Sequence, residues 1–327
     1  MQVLVTGAAG MIGRKLVARL ASMGTIGERK ITRLQLHDIV EPAVPSSAPF
    51  AVETAASDLS VAGEADKLVA DGPEVIFHLA AVVSGEAESN FLKGYRVNLD
   101  GTRCLFEAVR QSAPAHPPRL VFTSSIAAFG PPFPDTIDDD FLVAPLTSYG
   151  AQKAMAELLL SDYSRRGFLD GVGIRLPTIC VRPGAPNKAA SGFFSNIIRE
   201  PLNGQEAVLP VPDDVMHWLA SPRAAVGFLI HAASLDSARL GLRRNLTMPG
   251  VATTVAGQIE ALRKVAGDTV VGRIRREADP AIERIVLSWP RRFDARRARE
   301  LGFEADSSFE EIIRIHIDDE LGGRFVP

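Results

Sequence analysis

Apolar residues in the first half of the chain come in short runs, each followed by a stretch with helical spacing. The segments "QVLVT" (Gln2–Thr6), "ITRLQLHD" (Ile31–Asp38), "EVIFHLA" (Glu74–Ala80), "RLVFTSS" (Arg119–Ser125) and "GIRLPT" (Gly173–Thr178) read as strands. They are largely apolar rather than alternating, the pattern of sheet strands covered on both faces. Between them, "MIGRKLVARLASMG" and "FLKGYRVNLDGTRCLFEAVRQS" read as helices. Strand, helix, strand in repetition predicts an α/β fold with a doubly wound parallel sheet and right-handed crossovers.

After Thr178 the pattern loosens. "VRPGAPNKAASG" is rich in glycine, proline and small polar residues and reads as a loop. A helix from about Phe193 to Asn203, a short strand "AVLP" and a helix over "SPRAAVGFLIHAA" that returns to the main sheet follow. From about Leu242 the pattern predicts a strand, further helices and an Arg-rich segment, "WPRRFDARRARELGF". The expected division is a sheet domain over residues 1–178, with 212–240 returning to it. A smaller, discontinuous part over 179–211 and 241–327 would close over that domain and bind substrate.

At 327 residues, 46% apolar and 23% charged, the chain has an ordinary soluble composition. A net charge of −3 offers no electrostatic footprint for nucleic acid or an anionic membrane, and no apolar run is long enough to span a bilayer. Cys104 and Cys180 lack metal-ligand spacing and read as small buried residues of a reduced, cytoplasmic protein; no metal is expected. "MQVLVTGAAG" has no basic region ahead of its glycines, so it does not read as a signal peptide.

Those glycines carry the first candidate chemistry. "VTGAAGMIG" places Gly7, Gly10 and Gly13 between the first strand and the first helix, in the spacing G-x-x-G-x-x-G. Such a turn lets the backbone approach a pyrophosphate, and the N–H groups of Met11, Ile12 and Gly13 at the helix start would face the anion. In a strand–turn–helix unit this is a Rossmann-type dinucleotide site. Asp38 ends the second strand, where its carboxylate can accept from both adenosine ribose hydroxyls and repel a 2′-phosphate, so NAD is expected rather than NADP. Asp58 is placed to reach the adenine amine, with Leu59 beside it; a surface-loop aspartate is the plain alternative.

"SYGAQKAMAELLL" sets Tyr149 four residues before Lys153 at a helix start, downstream of a strand ending in Thr123, Ser124 and Ser125. On a helix that spacing puts both side chains on one face, at the sheet edge where ligands bind. With these residues in hand, the sequence resembles the extended branch of the short-chain dehydrogenase/reductases. The likeness rests on "TGAAGMIG", Asp38, "HLAA" (His78–Ala81), Asn98 in "VNLDGT", "TSSIAAFG", "YGAQK", and "IRLPT" leading into "RPG". It implies that Tyr149 is the general base, that Lys153 lowers its pKa and holds the nicotinamide ribose, and that Ser125 polarises the substrate oxygen, with Ser124 the neighbouring candidate. It further implies that Ala80 lines the cofactor, that Pro177 and Thr178 border the nicotinamide, and that Asn98 kinks its helix near the site; an ordinary polar helix residue is the alternative for Asn98. Helices around Phe91–Gln111 and Ser148–Arg165 resemble those that form a dimer interface in relatives, so a homodimer is expected.

The substrate is read from what is missing. Many nucleotide-sugar members of that family grip a diphosphate with an arginine before the returning helix, where "DDVMHWLASPRAA" has His217 and Trp218 beside Asp213 and Asp214. A neutral imidazole is a poor substitute for a guanidinium fork. The stretches "SSIAAFGPPFPDTIDDDFLVAPLTSYGAQK" and "RLPTICVRPGAPNKAASGFFSNIIREPLNG" resemble members that oxidise the C2 hydroxyl of the four-carbon sugar acid D-erythronate. A nucleotide-sugar epimerase or dehydratase is the enzymatic alternative, and a catalytically silent dinucleotide sensor the non-enzymatic one. Arg182, Lys188, Ser84 and Ser191 are the candidate donors for a substrate carboxylate. His217 would contact substrate or sit in a core.

Overall fold

Neighbouring side chains of a strand point to opposite faces, so a strand buried on both sides must be apolar throughout. In Gln2–Thr6, Val3 and Val5 enter one buried cluster and Leu4 another, each at most 1% exposed. The computed structural model describes residues 1–184 and 190–327. The strands that matter for the site are β1 (Gln2–Thr6), β2 (Arg33–Asp38), β3 (Ala51–Ala56), β4 (Val75–His78), β5 (Arg119–Ser125), β6 (Asp170–Leu176), β7 (Thr178–Ile179), β8 (Met216–Ala220), β9 (Asn245–Thr247) and β10 (Val251–Thr254).

Seven of these described strands form one parallel sheet in the order β9-β6-β5-β4-β1-β2-β3. The chain runs outward from β1 to β3, then crosses back to β4 on the other side of β1. Between β1 and β4 the crossovers therefore diverge and leave a crevice at the carboxyl ends of the strands, where ligands of such sheets bind. Helices α1 (Met11–Met23) and α5 (Pro222–Ser234) bury Leu16, Leu20, Phe228 and Leu229 on one face. Helices α2 (Gly101–Ser112) and α3 (Ser148–Arg165) bury Leu105, Phe106, Val109 and Leu160 on the other.

A separate apolar cluster joins α4 (Phe193–Leu202), α6 (Val255–Ala266) and α7 (Phe309–Leu321) through Phe194, Ile197, Ile259, Leu262, Ile312 and Ile313. A second, three-stranded sheet in the order β10-β8-β7 lies beside it. Its strand β7 is the direct continuation of β6: Pro177, which has no N–H to offer a ladder, is the break between the two sheets.

Four expectations change. "GIRLPT" is two strands in two sheets rather than one strand. Residues 245–247, placed by sequence in the smaller part, extend the main sheet as β9 beside β6. "AVETAA" is an edge strand, β3, whose exposed and half-exposed side chains hid it from an apolar-run criterion. The helix read over "FLKGYRVNLDGTRCLFEAVRQS" is three pieces: Phe91–Gly94, a π-helical turn at Tyr95–Asp100, and α2.

Candidate active site

The glycine turn has no room for side chains. A Cβ on Gly13 would lie 2.1 Å from the Gly7 carbonyl oxygen, and one on Gly7 would lie 2.6 Å from Ala80 N; Gly7 also has a φ of +79°. Ala80 thus backs the turn from the end of β4. Gly10 caps α1 without a side-chain hydrogen bond, which leaves the first-turn N–H groups at Met11, Ile12 and Gly13 facing the crevice. The turn is pinned from behind, since Gly7 N and Ala8 N donate to the His37 carbonyl at 2.8 and 3.1 Å.

Asp38 follows His37 and is half-buried, its carboxylate accepting from Ala9 N at 2.9 Å and Ile39 N at 2.7 Å. The acid is therefore locked to the same turn that would hold a pyrophosphate. Asp58 accepts from Ser60 N (2.9 Å) and Ser60 Oγ (2.6 Å) and faces Arg96 at 3.6 Å. Burial alone would raise its pKa, but these hydrogen bonds and the Arg96 charge outweigh it and hold the carboxyl below its usual value. Leu59 is buried, 7% exposed, in the cluster under α2. Backbone donors, an uncluttered turn and a fixed carboxylate at the end of β2 fit an adenine dinucleotide.

The groups expected to handle the proton lie at the end of β5 and the start of α3. Thr147 caps α3 by accepting from Gly150 N at 3.1 Å. A Cβ at Gly150 would lie 2.1 Å from the Ala127 carbonyl, so this glycine lets the helix press against the turn that follows Ser125. Ser125 Oγ accepts from Ala127 N at 3.1 Å, which fixes the oxygen and leaves its proton to donate. Tyr149 is half-buried, and burial pushes its phenol up to about 12, while the Ser125 side chain and the Arg182 guanidinium pull the other way. Lys153, 2% exposed, donates to the Thr123 carbonyl at 2.8 Å and lies 5.7 Å from the Tyr149 ring centroid. Burial lowers its pKa to about 8 against the pull of Glu157. The neighbouring Ser124 is committed elsewhere, donating to Glu157 Oε1 at 2.5 Å.

Asn98, 1% exposed, sits in the π-helical turn. Its Oδ1 accepts from Val82 N at 2.8 Å, and its Nδ2 donates to Val82 O at 3.2 Å and to Gln152 Oε1 at 2.8 Å. Asn98 thereby ties the segment after β4 to the helix that carries Tyr149 and Lys153. Beneath it, Thr102 Oγ1 donates to Asn98 O at 2.7 Å and so accepts from His78 Nε2 at 2.9 Å. That leaves His78 Nδ1 to accept from Thr6 Oγ1 at 2.7 Å, and burial keeps the ring neutral by pushing its pKa down to about 3.

At the end of β7, Thr178 Oγ1 lies 2.7 Å from His217 Nε2. His217 is 2% exposed and stacks on Phe194 at a centroid distance of 5.0 Å; burial holds it neutral, near 4. Arg182 donates from Nε to Ile179 O (3.0 Å) and from Nη2 to Ser191 Oγ (3.2 Å), and its charge reaches both Tyr149 and His217. The structure thus gathers Ser125, Tyr149, Lys153, Thr178, Arg182 and Ser191 at one edge of the sheet. Ser84 is exposed at the first turn of a short helix, Ser84–Ser89, which meets the start of α3 where Ser148 N donates to Glu88 at 2.9 Å. Lys188 lies outside the described residues.

The family model described as "NAD dependent epimerase/dehydratase family" matches residues 3–219. The chain belongs to that family. Within the epimerase/dehydratase family, it is 48% identical to a D-erythronate dehydrogenase of Cupriavidus necator, over 98% of each chain. It is 41% identical to a D-erythronate dehydrogenase of Haemophilus influenzae, over 98% of this chain and all (100%) of the relative. A solved structure described as a nucleoside-diphosphate-sugar epimerase from Agrobacterium tumefaciens superposes with a TM-score of 0.97 at 62% identity, covering 99% of this chain and 95% of the other. An L-threonine dehydrogenase of Cupriavidus necator superposes at 0.83 with 23% identity, over 98% and 99% of the two chains, a likeness of fold.

Gly150 and Gln152 lie inside the "YGAQK" motif, but their roles in packing and in holding Asn98 were not read from it; Glu157 lay outside the quoted motifs, and its partners Ser124 and Arg175 lie far off in sequence.

Proposed function

We propose that this protein oxidises the C2 hydroxyl of a four-carbon sugar acid, converting D-erythronate to 2-dehydro-D-erythronate with NAD⁺ as cofactor. The observation that carries the reading is the convergence of Ser125, Tyr149 and Lys153 beside the Arg182 guanidinium at the switch-point edge of the sheet. A guanidinium is the natural partner of a substrate carboxylate. Gly7, Gly10, Met11, Ile12, Gly13, Asp38, Asp58, Leu59 and Ala80 would hold the dinucleotide, with Lys153 and Thr178 at its nicotinamide end. Asn98 serves that site by positioning, through Val82 and Gln152. When bound, NAD⁺ supplies the hydride acceptor for the C2 hydrogen.

Ser125 donates to the reacting C2 oxygen and fixes it against Tyr149. Tyr149, as phenolate, takes the hydroxyl proton while the C2–H bond breaks, so the alcohol loses one proton and one hydride. Lys153 keeps positive charge beside the phenol, and Arg182, braced by Ser191, anchors the carboxylate. Ser84 remains a weaker candidate for that anchor, given its exposure.

The name of the 62% identical solved structure favours a second reading, a nucleotide-sugar epimerase. Against it stands His217, neutral and buried at a position where a diphosphate would need fixed positive charge. The two readings separate in one assay: D-erythronate should give stoichiometric NADH with the purified protein, whereas an epimerase recycles its NADH and would show no net absorbance on nucleotide sugars. No NADH from any four- to six-carbon sugar acid would remove the dehydrogenase reading.

We further propose a cytoplasmic homodimer formed through α2, α3 and the helix start at Phe91. Phe91, Leu92 and Leu158 are 56%, 79% and 71% exposed there, and Cys104 and Cys180 are free thiols. No described helix is long and apolar enough to cross a membrane, and among the described residues no cluster of side chains could hold a metal ion.

A further inference from the structure

Glu157 lies one helical turn beyond Lys153 on α3 and is 3% exposed. Its Oε1 accepts from Ser124 Oγ (2.5 Å) and Arg175 Nε (2.9 Å), and its Oε2 from Arg175 Nη2 (2.7 Å). Arg175, on β6, is 9% exposed, and its guanidinium lies 4.8 Å from the Phe129 ring centroid. A buried ion pair is a poor way to hold a helix on a sheet, since apolar side chains of similar volume often do so as well or better. Its chemistry here is therefore worth asking about. The carboxylate is hydrogen-bonded to the residue before Ser125 and shares a helix face with Lys153 one turn away, which places it behind both groups.

We propose that Glu157 is a positioning residue for the oxidation: clamped by Arg175 and Ser124, its carboxylate holds Lys153 as an ammonium beside Tyr149 and so sets the pH window of turnover. This rests on the assignment of Tyr149 as base under the function proposed above. Other groups facing the cluster do not supply that charge. On β4, His78 is buried and neutral. Arg182 acts on Tyr149 and Arg297 lies near Arg175, both positive. Ser161 and Asn245 reach Glu157 at its backbone carbonyl, at 2.8 and 3.2 Å, and not at its carboxylate. Of the Glu157–Arg175 pair, it is the Glu157 charge that acts on Lys153 and favours its ammonium.

The sign follows from charge. Removing a negative charge makes the surroundings of Tyr149 and Lys153 more positive, so each group loses its proton at lower pH. Turnover needs the Tyr149 phenolate and the Lys153 ammonium together, so these two ionisations bound the activity profile. Glu157→Gln should therefore move both limbs of the kcat profile for D-erythronate oxidation to lower pH, by about one unit. A residue that merely braces the helix would lower kcat at every pH and leave both limbs in place. The Glu157→Gln/Arg175→Gln double variant strands no buried charge and should show the same acid displacement, smaller in size; it serves if the single variant is insoluble. Limbs of a soluble variant that overlay the parent's would overturn the role of Glu157. Absence of NADH formation by the unaltered protein would instead strike the functional reading on which it rests.

Discussion

Burial opposes the work asked of Tyr149. A phenol near 12 is almost wholly protonated at neutral pH, so the base form must be drawn out by positive charge from Lys153, Arg182 and the bound nicotinamide cation. Tyr149→Phe removes the proposed proton acceptor together with its hydrogen bond to the Ser125 side chain, and turnover should fall by about 10²- to 10⁴-fold. NAD affinity, read by quenching of protein fluorescence, should stay near the parent's. Lys153 carries a cost of its own. Its folded pKa of about 8 lies below the ordinary lysine value of 10.5, so the fold disfavours the ammonium. That penalty is roughly 3 kcal/mol below pH 8 and fades as pH rises through the unfolded value, where both states are neutral. Lys153→Met should thus be inactive yet more stable than the parent at pH 7 in urea unfolding, with the gap narrowing toward pH 10. Asp38→Ala should relax discrimination against NADP in steady-state assays; a parent that already prefers NADP would contradict the charge reading of Asp38. Tyr149, Lys153 and Asp38 were legible in the sequence because spacing and strand ends locate them. Glu157 was not, because its meaning lies in Arg175, a partner on another strand.

Elements are legible to the degree that their burial is uniform. β1, β4 and β5 are apolar on both faces and stand out, whereas β3 lies at the sheet edge and carries Glu53 and Thr54. The π-helical turn at Tyr95–Asp100 was hidden for another reason: one extra residue in a turn barely disturbs a helical period. That turn brings Asn98 under Val82 and Gln152. Asn98→Ala leaves a half-buried Val82 N–H and the Gln152 amide without their partner, which should cost about 1–3 kcal/mol in chemical denaturation. Turnover should fall more than the affinity for NAD, since the helix bearing Tyr149 loses its tether. Gly150→Ala is a sharper test of the same packing, because the methyl would fall 2.1 Å from the Ala127 carbonyl oxygen and also crowd Pro145 and the capping Thr147 hydroxyl.

At the scale of the molecule, alternating strands and helices were enough to predict the doubly wound sheet, but the partition of the tail was not legible. "NLT" in β9 is too short to show which sheet it joins, and the choice is made by its pairing with β6. The exposed Phe91, Leu92 and Leu158 bear on assembly. Sedimentation at micromolar concentration should show a dimer, and Leu158→Glu should shift it toward monomer with its unfolding midpoint near that of the parent's monomer. A monomeric parent protein would reject the interface.

The passage from β6 to β7 through a single proline links the two sheets at the very place where Tyr149 and Arg182 meet. A hinge needs slack, and one rigid residue provides almost none. Any swing of one sheet against the other would have to carry Thr178, paired with Leu219 and hydrogen-bonded to His217, as one block with its sheet. The spacing between the ends of β6 and β8 should therefore change little when ligand binds, so that substrate is admitted by movement of loops rather than of sheets.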